Sequence, residues 1–150
     1  MSWFSWFRRP KPAPAPKPFT LTWSGVNVAP DGGSMTLAAG DNGTAVTEWG
    51  AVGVQPVKVA CKGGVLNVTC STAPTVGLTV LVYKYADAGV TWIGGWCPSI
   101  DVANGHTAAT LDLSAYTFAA NEYVRVWIGY PLVNTGTITV KASISFTPIG

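Results

Sequence analysis

The residues able to do chemistry in this chain are few and scattered. His106 is the only histidine, and the three cysteines, Cys61, Cys70 and Cys97, lack the close pairing that a zinc site needs. Asp41-Asn42-Gly43 with Glu48 downstream lacks the alternating oxygen ligands of a calcium loop, so it reads as a turn, as does Asp31-Gly32-Gly33. Ser99, Asp101 and His106 fall in one stretch, but no nucleophile-elbow pattern surrounds Ser99. Any two of Asp87, Asp101, Asp112 and Glu122 could meet as a carboxylate pair for glycoside hydrolysis, but the sequence offers no reason that they should. The expectation is a protein that is not an enzyme, with no catalytic residues, no metal and no cofactor.

Aromatic residues offer the better lead. Tyr123, Arg125 and Trp127 alternate along one strand and share its outward side, while Trp92 and Trp96 lie in the segment VTWIGGW. Tyr and Trp rings beside polar groups can stack on a sugar while hydrogen-bonding side chains read its hydroxyls. The competing reading, which we favour, is that Trp92 and Trp127 fill the core or a subunit interface.

The elements that must position these residues are strands. Thr137 to Phe146, TITVKASISF, alternates strictly, with Ile138, Val140, Ala142, Ile144 and Phe146 on one side and polar residues on the other. Such a period of two marks a strand with one face on a core. Glu122 to Tyr130 repeats the pattern with Val124, Val126 and Ile128 facing in, and these two strands form the spine. Leu78 to Tyr85 is apolar on both faces, which predicts a central strand covered on both sides. Phe19 to Trp23 and Ala109 to Leu113 are further strands, and Met35 and Leu37 lie on a short one. Val57–Cys61 and Val65–Cys70 read as a hairpin turning at Gly63-Gly64. Cys97 to His106 reads as an irregular loop, and Ser114 to Asn121 as a connection with room for one helical turn. Eight to ten short strands at regular spacing predict an all-β fold, an antiparallel β-sandwich of jelly-roll or immunoglobulin-like order.

Residues 1–9, MSWFSWFRR, are unlike the rest. Trp3, Phe4, Trp6 and Phe7 form an aromatic cluster closed by Arg8 and Arg9. Its order of charge and apolar residues does not fit a secretory signal, and it is too short to span a bilayer. Three readings stay open: a peptide that docks on another protein, contact with a membrane interface, or an end that is disordered or folded onto its own domain. Residues 10–18, PKPAPAPKP, form an extended proline-rich linker reaching on the order of 28 Å. Residues 19–150 form the sandwich domain.

Composition sets the remaining bounds. A chain of 150 residues holds one domain with a proper core. Only 11% of residues are charged, against roughly 25% in an average soluble domain, so its surface favours association. Four of the nine Lys and Arg residues lie in the first seventeen positions, which leaves five facing seven acidic side chains. That body has no basic patch for specific nucleic-acid binding. In the hairpin register Cys61 and Cys70 stand too far apart to bridge, so they read as reduced core residues.

An anchoring arm (MSWFSWFRR), a proline-rich connector (PKPAPAPKP) and a charge-poor sandwich with strands such as EYVRVWIGY and TITVKASISF together resemble small virion proteins of bacteriophages. Capsid decoration or cement proteins, head fibres and spike bases are of this kind. The resemblance is one of organisation across the whole chain, and no residue role carries over. It implies a structural protein located in the virion and assembled in the host cytoplasm. It also implies a homo-oligomer, with a trimer favoured, bound to the major capsid protein or another virion protein. Two alternatives accompany it: a carbohydrate-binding module contacting host-surface glycans, and a membrane-tethered display protein.

Overall fold

The computed structural model describes residues 17–28, 34–44, 52–75, 77–88, 91–93, 98–129 and 136–149. The arm at 1–9, most of the linker at 10–18 and Trp96 lie outside the described residues.

Eleven strands are described, and no helix occurs among these residues. The larger sheet contains β1 (Phe19–Val28), β3 (Ala38–Ala39), β5 (Cys61–Cys70), β8 (Ala108–Asp112), β9 (Thr117–Phe118) and β11 (Ile138–Pro148). Its order is β3-β1-β11-β5-β8, with β9 continuing along β5 after β8. The smaller sheet contains β2 (Ser34–Thr36), β4 (Gln55–Pro56), β6 (Leu78–Tyr85), β7 (Ser99–Val102) and β10 (Tyr123–Gly129). Its order is β2-β10-β6-β7, with β4 also on β10. All the pairings are antiparallel.

Setting aside the two-residue strands, the chain runs β1-β2-β5-β6-β7-β8-β10-β11, placing first, eighth, third and sixth side by side in one sheet. Second, seventh, fourth and fifth lie side by side in the other. That interleaving is the eight-stranded jelly roll. An immunoglobulin-like sandwich distributes its strands differently, so the fold is a β-sandwich of the jelly-roll kind.

The periodicity explains the core. Ile138, Val140, Ala142, Ile144 and Phe146 of β11 are all buried, facing Val124, Val126 and Ile128 of β10 and Leu78, Val80 and Val82 of β6. At one end Phe146 stacks on Phe19 with ring centroids 5.1 Å apart and meets Phe118 edge-on at 5.3 Å. Trp23, fully buried, donates its indole N–H to the Gly53 carbonyl at 2.6 Å. Gly53 has φ +72°, and any side chain there would run into the Leu37 carbonyl, so glycine is required on two counts.

Three expectations need correction. Gly63-Gly64 is no hairpin turn: β5 runs unbroken from Cys61 to Cys70, and both glycines lie inside it. There the neighbouring strands close in, since the β11 register shifts between Ile144 and Phe146 and Leu113 packs over Gly63. A glycine inside a strand marks such a close approach as readily as a turn. Cys61 and Cys70 are consequently at opposite ends of one strand, roughly 30 Å apart at the usual rise per residue, and both are free and buried. The stretch expected as a loop from Cys97 contains β7, and the connection from Ser114 holds β9 and a turn, with no helical residues.

Candidate functional site

Alternation along β10 places Tyr123, Arg125 and Trp127 on the outer face of the smaller sheet, opposite Tyr85, Tyr83 and Leu81 of β6. Thr36 of β2 flanks Trp127 on the other side. The sheet therefore gathers a cation and several rings into one layer. The Arg125 guanidinium carbon lies 4.9 Å from the Tyr85 ring centroid and 5.0 Å from that of Trp127. Its Nε and Nη2 donate to the Tyr85 hydroxyl at 3.2 and 2.8 Å. Tyr83 meets Trp127 edge-on at 5.6 Å, Trp92 edge-on at 6.4 Å, and Tyr85 at 6.3 Å.

Burial decides what this cluster can do. Arg125 is 1% exposed and Trp127 4%, whereas Trp92 is 55% exposed. A guanidinium held between aromatic faces tolerates burial because its charge is delocalised and weakly hydrated. Arg125 and Trp127 thus act as packing within the chain, and among the described residues of this cluster Trp92, bridged to Tyr85 at the sheet margin, presents a large open ring. Tyr123 is half-buried. Tyr83 and Tyr85 belong to the cluster although the sequence reading did not include them. Their signal was the same alternation, since Leu81, Tyr83 and Tyr85 share one face of β6.

A second polar group sits at one end of the sandwich. Lys84 lies opposite Val124 in the register. Its Nζ approaches Glu122 at 3.6 Å, the Thr117 carbonyl at 3.3 Å and the Phe118 ring centroid at 5.7 Å. Glu122 also accepts the Ala119 N–H. These contacts close the β9–β10 turn over the core. Burial pushes the thiol of nearby Cys61 up to about 11, with the Glu122 charge adding to it, and burial alone pushes Cys70 up to about 11. Neither thiol is a nucleophile at neutral pH.

The residues considered for catalysis are placed apart in role. Asp101 on β7 accepts a hydrogen bond from the Thr79 hydroxyl at 2.8 Å, and His106 lies exposed on the turn beyond that strand. No cluster of three metal-ligating side chains occurs among the described residues. Two shallow clefts lie among the described residues. One of about 330 Å³ is lined by Phe19, Leu21, Pro56 and Val59 with Lys17 and Lys58 at its rim. The other, of about 260 Å³, lies beside Thr79, Asp101 and Asn104.

No protein family and no curated protein sequence matches the chain. Among solved structures, the crystal structure of FLHE aligns at a TM-score of 0.40 and 14% identity, covering 87% of this chain and 98% of that one. The Desmodium yellow mottle tymovirus structure aligns at 0.35 and 11%, covering 95% and 94%. The cyanophage Pam1 capsid asymmetric unit aligns at 0.37 and 14%, covering 95% and 92%. TM-scores this low establish neither a common fold nor a common role.

Proposed function

We propose that this chain is a non-enzymatic structural protein of a virus particle, decorating or bracing the capsid or forming the base of a spike. The observation that carries the reading is the eight-stranded jelly-roll order, an architecture used for capsid and lectin domains, combined with a charge-poor body. The step from fold to role is an analogy. In this reading residues 1–9 dock on another virion protein, residues 10–18 space the body from that contact, and the sandwich self-associates.

The direct test is peptide mass spectrometry on virus particles banded by density from a culture expressing the chain. Recovery in stoichiometric amount supports the reading, and absence from the particles overturns it. Replacing Arg8 and Arg9 with alanine tests the arm: association with particles should weaken, and unchanged association refutes docking through those charges.

A carbohydrate-binding reading is kept for one observation, the exposed Trp92 ring set beside Tyr83. Under it, Trp92→Ala abolishes retention on a glycan array, and undiminished retention removes that ring from consideration.

A further inference from the structure

A sheet has two edges, and natural proteins guard them with proline, charge or brevity. Here β1 is preceded by Lys17-Pro18 and faces Lys58 across the cleft. β4 contains Pro56, β7 follows Pro98 and carries Asp101, and β2 and β3 span three and two residues. The strand β8, Ala108–Asp112, is different. It is an outer strand of the larger sheet, five residues long, with no proline and no cation, and its single charge stands at its end.

The hydrogen bonds show which of its groups are open. Thr107 accepts from the Cys70 N–H at 2.8 Å, and the Leu113 N–H donates to Gly64 at 2.7 Å, so residues 107, 109, 111 and 113 turn their backbone groups toward β5. By alternation Ala108, Thr110 and Asp112 turn theirs away from the sheet. All three residues are exposed, and no described strand pairs on that side. Ala109 and Leu111 point inward, half-buried against the core margin.

We propose that β8 is a self-pairing edge, along which a second copy of this chain adds antiparallel about a two-fold axis at Thr110. The strand is self-complementary in that register. Thr110 meets Thr110, Ala108 meets Asp112, and Ala109 meets Leu111, so no two carboxylates face each other and the half-buried apolar side chains cover one another. About six backbone hydrogen bonds form between the copies. Asp112 stays charged, its carboxyl held below the usual range by the backbone and side-chain hydrogen bonds from Ser114, and it points along the outer face opposite an alanine. A basic arm or a foreign strand would lack this match. The inference deepens the self-association part of the proposed function and replaces a three-fold operator with a two-fold one, which closes on itself.

The test is absolute mass of the full chain in solution by light scattering, for the wild type, Thr110→Lys and Thr110→Glu. Thr110 is exposed and its N–H faces outward, so neither change disturbs the ladder to β5. Each variant alone sets like charges directly opposite, and its mass should be half that of the wild type. An equimolar mixture of the two should restore the wild-type mass, which also shows that both variants are folded. Amide exchange on the unaltered chain gives an independent reading: Ala108, Thr110 and Asp112 should gain protection as concentration rises. An oligomer indifferent to both variants, or halved masses that the mixture fails to restore, overturns the β8 edge while leaving self-association through another surface. A wild-type monomer overturns both.

Discussion

Gly63→Ala is the sharpest test of how β5 is seated. In an ordinary strand the change would stabilise the protein by about 0.5–1 kcal/mol, because glycine is the more flexible residue when unfolded. The structure reverses that sign. A Cβ at Gly63 would stand 2.6 Å from the Leu113 carbonyl oxygen and 2.9 Å from the Leu113 Cβ. Leu113 cannot step aside freely, since it is fully buried. Its N–H donates to Gly64 at 2.7 Å, and its carbonyl accepts from Tyr116 at 2.9 Å. Overpacking a fixed core costs about 1–3 kcal/mol, and stretching those bonds adds about 0.5–1.5 kcal/mol. The net expectation is destabilisation by about 1–3 kcal/mol, which lowers a urea midpoint by roughly 1 M at the slope usual for small proteins. Tryptophan fluorescence during urea unfolding reads it, with an unchanged slope as the check on two-state behaviour. Gly64→Ala supplies the contrast. Its Cβ would meet the Ser145 hydroxyl first, which accepts the Val65 N–H at 2.9 Å, so Ser145→Ala in the same chain should recover part of the loss. Were Gly63→Ala as stable as the wild type or more so, the close approach of Leu113 to β5 would be wrong, and the hairpin reading of Gly63-Gly64 would return.

Two further outcomes follow from buried groups. Cys61 and Cys70 are raised from 9.0 to about 11, so their contribution to stability is intact below about pH 9 and is lost as pH rises toward 11, where the unfolded thiols ionise first. Urea midpoints measured at about pH 8 and about pH 10.5 should therefore fall less in a Cys61→Ala, Cys70→Ala chain than in the wild type, and an equal fall in both would contradict burial of the thiols. Tyr85→Phe removes the hydroxyl that accepts from Arg125 Nε and Nη2 and should cost about 1–3 kcal/mol by leaving buried donors short of an acceptor. A loss under about 0.5 kcal/mol would show that the Tyr85 hydroxyl is not what holds the guanidinium in place.

The strongest signals in the sequence were those in which one face of a strand decides its fate. TITVKASISF and EYVRVWIGY alternate in this way, and they became β11 and β10, each an interior strand of its sheet. Strand order was not legible, because it rests on pairings such as Phe19 with Phe146 that no local pattern encodes. The four residues of β7 were hidden among Pro, Asp, Asn and Gly, too short to show a period. For Arg125, alternation gave the correct face of β10 but not its burial. An arginine on an outward face is exposed unless a further layer covers it, and that depends on Tyr85 and Trp127 closing around the charge. Trp92, read as core or subunit interface, is 55% exposed at the sheet margin, where it makes an isolated bridge to Tyr85 and is not part of a long strand.

Burial on both sides of the smaller sheet narrows where partners can bind. Val80, Val82, Val124 and Val126 fill one side, and Tyr85, Arg125 and Trp127 are buried on the other, so among the described residues that outer side is open at the Trp92 ring and along the β6–β7 margin, where Ser99 and Asp101 are exposed. The larger sheet has its core on one side only. Its outer face carries Thr139, Lys141, Ser143 and Ser145 from β11 and Asn67 and Thr69 from β5, with Val65 41% exposed beside them. Short hydroxyl and amide side chains on a pleated surface pay little entropy on being covered, and two lysines, Lys141 and Lys62 of β5, stand on the same face. Under the proposed pairing, the two-fold at Thr110 would continue the larger sheet through β8 and carry this polar outer face on into the second copy.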